Sequence, residues 1–313
     1  LFEARQLGYT YPSGRLGVRN VSLEAGAGER VVVMGPNGSG KSTLLRLVST
    51  AIPSGPGALL LFGESHRTVP RRTRRRLGVV QDVPVHVDAL TGLENARLFG
   101  ELYGLSPSKA DTAFATLFTS FGLEQVRDVP VAEYSYGMRR KLLLVEALAH
   151  EPELLVLDEP ALALDPPSQA ALVNILEERS RTGACTLVAT NEPALAQRLA
   201  TRVVFLCDGE IVAQGTTAEL LDKLHGTTRI EIRLRGGVPA DVALDGVEIT
   251  VLPDRIVAES HSGVDVLPRL TEAILDTGSQ ITSVEVREPD LADVFTQLTG
   301  LDMKDGGERR MEA

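Results

Sequence analysis

Gly35-Pro36-Asn37-Gly38-Ser39-Gly40-Lys41-Ser42-Thr43 decides the fold of this chain. The apolar run Val31-Val32-Val33-Met34 precedes it and the helical pattern Leu44-Leu45-Arg46-Leu47-Val48 follows, so the segment reads as strand, glycine-rich loop, helix. Gly35, Gly38 and Gly40 permit the backbone angles that turn successive N–H groups inward, and a helix starting near Lys41 adds the positive end of its dipole. Together they predict a cradle for a polyphosphate. Lys41 would reach the β- and γ-phosphate oxygens as a point charge, the Ser42 hydroxyl would ligate Mg²⁺, and Thr43 would add a supporting phosphate contact. A chance glycine-rich turn before a helix is the bland alternative, and it is disfavoured because every fixed position stands in the right context.

Working outward, Leu154-Leu155-Val156-Leu157 is a short all-apolar run that suits a buried parallel strand and delivers Asp158 and Glu159 at its carboxyl end. Neighbouring strand residues point to opposite sides, so one carboxylate can face Mg²⁺ and the other an attacking water. Pro160 closes the strand, and Leu162-Ala163-Leu164-Asp165-Pro166 leads into a helix over 168–178. Another buried strand, Cys185 to Thr190, ends at Asn191. Leu77-Gly78-Val79-Val80 ends at Gln81, whose amide oxygen can ligate Mg²⁺ or orient water. Ser135 and Gly137 open an amphipathic helix carrying Leu142, Leu143, Val145 and Leu148, which is either an anion site or a simple N-cap. Between the first two strands, Phe2–Leu7 and Val18–Leu23, Tyr11 rather than Tyr9 is the candidate to stack on a nucleobase. Taken alone, that tyrosine reads better as turn packing.

The composition fits this reading. A chain of 313 residues with 43% apolar and 24% charged residues is an ordinary globular composition, long enough for two domains. Cys185 and Cys207 sit in apolar runs and read as two buried thiols of a reducing compartment. No run approaches the roughly 18 apolar residues of a membrane span, and the N-terminus lacks the pattern of a secretory signal, so the expected location is cytosolic. The net charge of −10 is uneven: residues 226–313 hold 17 acids and 9 bases. This break places one domain over 1–226, a second over 227–303 and a polar, disordered tail over 304–313. The basic run Arg71–Arg76 lacks interleaved aromatics and belongs to an acidic protein, so it reads as a solvated face and no nucleic acid is expected. Residues 88–126 are helical in pattern, with Leu98, Phe99, Leu102 and Tyr103, then a helix start at Ser106-Pro107 and Phe114, Leu117, Phe118 and Phe121, as mostly core stripes. The C-terminal part shows strands around 230–234 and 247–251, a helix over 266–275, a strand over 281–286 and a final helix.

In this order, the motifs resemble those of the nucleotide-binding subunit of ATP-binding cassette (ABC) transporters, over residues 2–222. The resemblance implies an α/β P-loop NTPase fold with an antiparallel β subdomain and a helical insert over about 88–150, followed by a small α+β C-terminal domain. It assigns Tyr11 to the adenine, Gly35 to Ser42 to Walker A and Gln81 to the Q-loop. Tyr134-Ser135-Tyr136-Gly137-Met138 stands where the family has Leu-Ser-Gly-Gly-Gln. Asp158 and Glu159 match the Walker B aspartate and the catalytic glutamate, and Asp165 the D-loop aspartate. The family places a histidine where this chain has Asn191, and an amide cannot become cationic. With Tyr136 in place of a glycine, that departure implies slow turnover.

The ending Glu288 to Gly300 looks like the tail of ATPase subunits of drug and polyketide-antibiotic exporters, whose integral-membrane subunits are separate chains. The resemblance further implies a second ATPase subunit, as homodimer or heterodimer, with each ATP held between one chain's P-loop and the other's Ser135/Gly137 loop, on the cytoplasmic face of the membrane. The alternative is an ATP-gated interaction module of a non-transport assembly that scarcely hydrolyses.

Overall fold

The computed structural model describes residues 1–66, 69–81, 83–222, 228–235, 242–260 and 263–303. The chain divides into two compact units, residues 218–297 and the remainder. In chain order the first unit contains β1 (Phe2–Thr10), β2 (Leu16–Ala25), β3 (Arg30–Met34), α1 (Lys41–Val48), β4 (Ala58–Leu61), β5 (Glu64–Ser65), α2 (Arg71–Arg74) and β6 (Leu77–Val80). There follow α3 (Gly92–Tyr103), α4 (Pro107–Ser120), α5 (Tyr136–Leu148), β7 (Leu154–Asp158), α6 (Pro166–Arg181), β8 (Cys185–Ala189), α7 (Pro193–Leu199), β9 (Arg202–Cys207) and β10 (Glu210–Gly215).

Two sheets share one core. The first is antiparallel, in the order β2-β1-β4-β5. The second has the order β10-β9-β3-β8-β7-β6, with β3, β6, β7, β8 and β9 mutually parallel and β10 antiparallel at the edge. Every residue of β7 and β8 is buried, which is why these strands read as unbroken apolar runs rather than as alternation. Leu44, Leu47 and Val48 of α1 pack with Val31 and Val33 of β3 and with Leu7 and Val21 of the antiparallel sheet. Each such side chain contributes about 1.5–3 kcal/mol by leaving water. Because the strands are parallel, the carboxyl ends of β3, β8, β7 and β6 follow one another along a single sheet edge, where open α/β sheets bind ligands.

The helical segment is two helices, the second starting at Ser106-Pro107 as expected: Gly104 ends α3 in the left-handed region (φ 82°) and Pro107 begins α4. It departs from expectation in the packing of α3. The buried face of α3 is Gly92, Asn95, Ala96 and Gly100, while Leu98 and Leu102 are 37% and 65% exposed. The reason is aromatic bulk opposite: a Cβ on Gly100 would lie 3.0 Å from the Phe114 ring, so only the small face of α3 can approach α4. Phe114, Leu117, Phe118 and Phe121 are core as expected, and Cys185 and Cys207 are free and buried. Strands β1 and β2 run further than expected, taking Tyr9 and Thr10 out of the turn.

The second unit holds most of α8 (Thr217–Leu221), then β11 (Thr228–Arg235), β12 (Val247–Val251), β13 (Arg255–Ser260), α9 (Leu267–Leu275), β14 (Gln280–Arg287) and most of α10 (Leu291–Thr299). Its antiparallel sheet runs β12-β13-β11-β14, and Ile230, Ile232, Ile256 and Ala258 pack on Leu270 and Ile274 of α9. The hairpin strand β13, closed by the turn at Pro253-Asp254, is absent from the sequence reading. The expected boundary at residues 226–227 and the tail 304–313 lie outside the described residues.

Candidate active site

Between β3 and α1 the backbone of residues 35–40 turns on left-handed glycines: φ is 154° at Gly35, 84° at Gly38 and 106° at Gly40. A Cβ at Gly35 would fall 2.0 Å from Leu206 O, and one at Gly40 would fall 2.2 Å from Gly17 O, so neither position admits a side chain. Helix α1 begins at Lys41 with no side-chain cap and no acidic residue in its first turn, which leaves its dipole end to an outside anion. Lys41 is buried and its Nζ donates to Gly35 O (2.7 Å) and Pro36 O (3.0 Å). Burial lowers its pKa, against the opposing pull of Glu159 and Asp158. The buried Ser39 Oγ has no hydrogen-bond partner among the described residues. A polar cradle that no Cβ can enter, with a buried cation and an unmatched hydroxyl, fits a polyphosphate.

Asp158 ends β7 as a buried residue, and Glu159 follows with a left-handed backbone (φ 45°). That conformation costs a non-glycine residue about 1–2 kcal/mol. The carboxylates are therefore separated by a backbone turn after the strand and not by strand alternation, because β7 is already over at Asp158. Glu159 N–H donates to Ala189 O (2.9 Å), fixing the turn against β8. Burial raises the Glu159 pKa, while Lys41 and the Thr190 hydroxyl pull it down. Asn191, just past β8, donates from Nδ2 to Asn37 Oδ1 at 3.1 Å, so it lies against the glycine loop. Gln81 is exposed at the end of β6 and lines one small cleft with Asp158, Arg46 and Ser49.

The remaining candidates fall into two groups. Tyr11 meets Thr43 of the loop helix, hydroxyl to Oγ1 at 3.0 Å; Tyr9 packs edge-on against its ring at 5.0 Å, and the Arg15 guanidinium lies 4.9 Å from its centroid. Ser135 is the N-cap of α5, its Oγ accepting from Met138 N–H at 3.2 Å, and Tyr136 is half exposed. Gly137 lies so close to Ala163 O that a Cβ would come within 2.9 Å of it. Among the described residues no hydrogen bond joins Ser135, Tyr136 or Gly137 to residues 35–43 of the same chain. Asp165 caps α6 by accepting from Ser168 N–H (2.9 Å) and pairs with Lys141 (2.7 Å), which holds its carboxyl down to about 2.

The sequence reading missed Arg140. This arginine of α5 is 1% exposed, and it donates from Nη1 to Gln81 O (2.7 Å) and from Nη2 to Asp158 O (3.2 Å) and Glu159 O. Its position was the available signal, for Leu144 and Leu148 continue the same buried stripe at i+4 and i+8. A charge inside an apolar stripe needs a specific partner.

A polyphosphate cradle, two carboxylates and an amide at the ends of neighbouring parallel strands define a P-loop nucleotide hydrolase. A family model described as ABC transporter matches residues 18–162. The chain is 31% identical over 306 residues to the doxorubicin resistance ATP-binding protein DrrA of Mycobacterium tuberculosis (strain ATCC 25618 / H37Rv), covering 93% of this chain and 91% of that protein. It is 33% identical over 292 residues to the Nod factor export ATP-binding protein I of Sinorhizobium fredii (strain NBRC 101917 / NGR234), covering 92% and 83%. A solved ATP-binding subunit of an ABC transporter is 31% identical, with a TM-score of 0.67 over 71% of this chain and 92% of that one. The chain belongs to the ABC transporter family, as an ATP-binding subunit whose hydrolysis of ATP is coupled to transport.

Proposed function

We propose that this chain drives export through a separate integral-membrane subunit, hydrolysing MgATP at the sheet edge where residues 35–43, Asn191, Asp158, Glu159 and Gln81 converge. The observation that carries the reading is the parallel order β3-β8-β7-β6, which aligns the loop, the asparagine, the carboxylates and the glutamine in sequence along that edge. Lys41 and the loop N–H groups hold the β- and γ-phosphates, and Tyr11 sits beside the adenine. Ser42, Gln81 and Asp158 would hold Mg²⁺, which when bound supplies charge neutralisation on the phosphates. Glu159, half-buried and with a raised affinity for protons, polarises the attacking water. Ser135 and Gly137, exposed or half-buried at the start of α5, complete the site of a second ATPase subunit, with Asp165 alongside. Residues 1–226 form the ATPase domain in this reading and 227–303 an accessory domain.

Coupling to a membrane chain is supported by three features. No helix among the described residues is long and apolar enough to cross a membrane. The relatives are named as ATP-binding proteins of drug resistance and of export. The segment after Gln81 also exposes Val83, Val85 and Val87 at 62%, 68% and 45%. His86 between them is turned inward with a fully buried side chain, its Nε2 within 3.1 Å of Arg139 O. An alternating segment with its valines facing outward, next to a helix exposing Leu98 and Leu102, is an apolar surface for a partner on the cytoplasmic side of the membrane.

Lys41→Ala should abolish MgATP binding at micromolar nucleotide, because it removes the buried cation of the cradle; undiminished binding by calorimetry would refute the site. Recovery of a polytopic membrane protein with the chain separates the exporter reading from the second one, an ATP-gated module with little hydrolysis. That second reading draws on Asn191, whose amide is engaged with Asn37 and cannot become cationic.

A further inference from the structure

The β6–β7 ladder ends at Val80 and Leu157, just where the site begins. The Arg140 guanidinium supplies donors there. It meets Gln81 O at 2.7 Å on one strand end and the carbonyls of Asp158 (3.2 Å) and Glu159 on the other. The planar fork grips backbone carbonyls, among them that of a strained residue, since Glu159 has φ 45° without being glycine. Arg140 also stands on α5, whose first turn carries Ser135 and Gly137. The neighbouring Lys141 binds Asp165 at 2.7 Å, so one helical turn holds three separate segments of the site's periphery.

We propose that Arg140 is a positioning residue of the hydrolysis step: it locks Glu159 in its left-handed conformation and fixes the distance between Glu159 and Gln81. The role rests on Glu159 as the water-polarising carboxylate. Its bonds to the carbonyls of Gln81, Asp158 and Glu159 lie at the hydrolysis end of the site, so its removal should act on turnover more than on affinity. A displacement of about 1 Å at a reacting group is enough to cost about 10²-fold in rate.

The test uses the full chain, with single-turnover hydrolysis at saturating MgATP and MgATP affinity by calorimetry. Arg140→Gln should lower the hydrolysis rate about 10- to 100-fold and change the dissociation constant less than about threefold. Arg140→Lys, whose single ammonium cannot span both strand ends, should lie between it and the parent. In the Glu159→Gln background, Arg140→Gln should cost less than about twofold more, because residues acting as a unit are non-additive. Multiplicative losses in the double variant, or affinity falling as far as rate, would overturn the assignment. Should Arg140→Gln lack a cooperative thermal transition, Arg140→Lys is read on the same two criteria, and a parent-like rate for it overturns the proposal. Should Glu159→Gln itself keep the parent rate, the water-polarising role of Glu159 falls first, and that of Arg140 with it.

Discussion

On the proposed reading, Asn191 separates affinity from turnover. Its amide supplies a neutral hydrogen bond, whereas a protonated histidine would supply a charge-assisted one roughly twice as strong. The difference falls mainly on the transition state, where charge on the phosphoryl group is redistributed. Asn191→His should therefore raise the ATPase rate severalfold with a smaller change in MgATP affinity, measured by steady-state phosphate release and calorimetry. An equal or slower rate would place the side chain away from the reacting phosphate. Asp165 gives a pH-dependent case. Its folded pKa lies at about 2, below the ordinary aspartate value, chiefly because of Lys141 and then Ser168. The stabilisation is thus complete above the ordinary value and is lost as pH falls from about 4 towards 2. With the side chain 53% exposed, solvent screens the pair, and Asp165→Asn, which can still cap α6, should lose under ~1 kcal/mol at neutral pH. Urea unfolding of the two proteins should converge near pH 2; a gap that widens on acidification would contradict the sign.

At the scale of elements, strands β3, β6, β7 and β8 and the glycine loop were legible because a parallel strand buried on both faces leaves an unbroken apolar run, as in Leu154–Leu157. Helix α3 was legible as a helix but its packing face was not, because that face is made of small residues. Leu98 and Leu102 invite a core reading, and only Phe114 on α4 explains why Gly100 lies inside instead. Asn95 was equally silent, a polar residue with no motif around it. It is fully buried, and its side chain accepts from Val87 N–H (2.9 Å) and donates to Val87 O (3.1 Å), Leu90 O (3.3 Å) and Thr91 O (3.0 Å), tying the valine segment to α3. Asn95→Ala leaves Val87 N–H without its acceptor, while Val87 O, Leu90 O and Thr91 O keep the N–H groups of Leu90, Val131 and residue 95, and should cost about 1–3 kcal/mol. A shift of the urea midpoint checks this, and a loss below about 0.5 kcal/mol would mean that water replaces the amide.

For the molecule as a whole, the candidate residues lie far apart in sequence and are gathered by strand order. The sequence supports each strand end separately, at Met34, Val80, Leu157 and Ala189, while their adjacency follows from parallel pairing. What the sequence does not display is the cross-link between them. Arg140 meets its carbonyls 59, 18 and 19 residues away, a pattern without local periodicity. The second unit's hairpin strand β13 was likewise hidden, since Arg255-Ile256-Val257-Ala258 is short and follows a proline turn. In the proposed mechanism this sheet edge hydrolyses ATP with Glu159 as the group that polarises water. The most direct test compares Glu159→Gln with the parent, following phosphate release at saturating MgATP alongside calorimetric affinity. The predicted result is unchanged binding with turnover lower by roughly 10²- to 10⁴-fold; an unchanged rate with intact binding would contradict it.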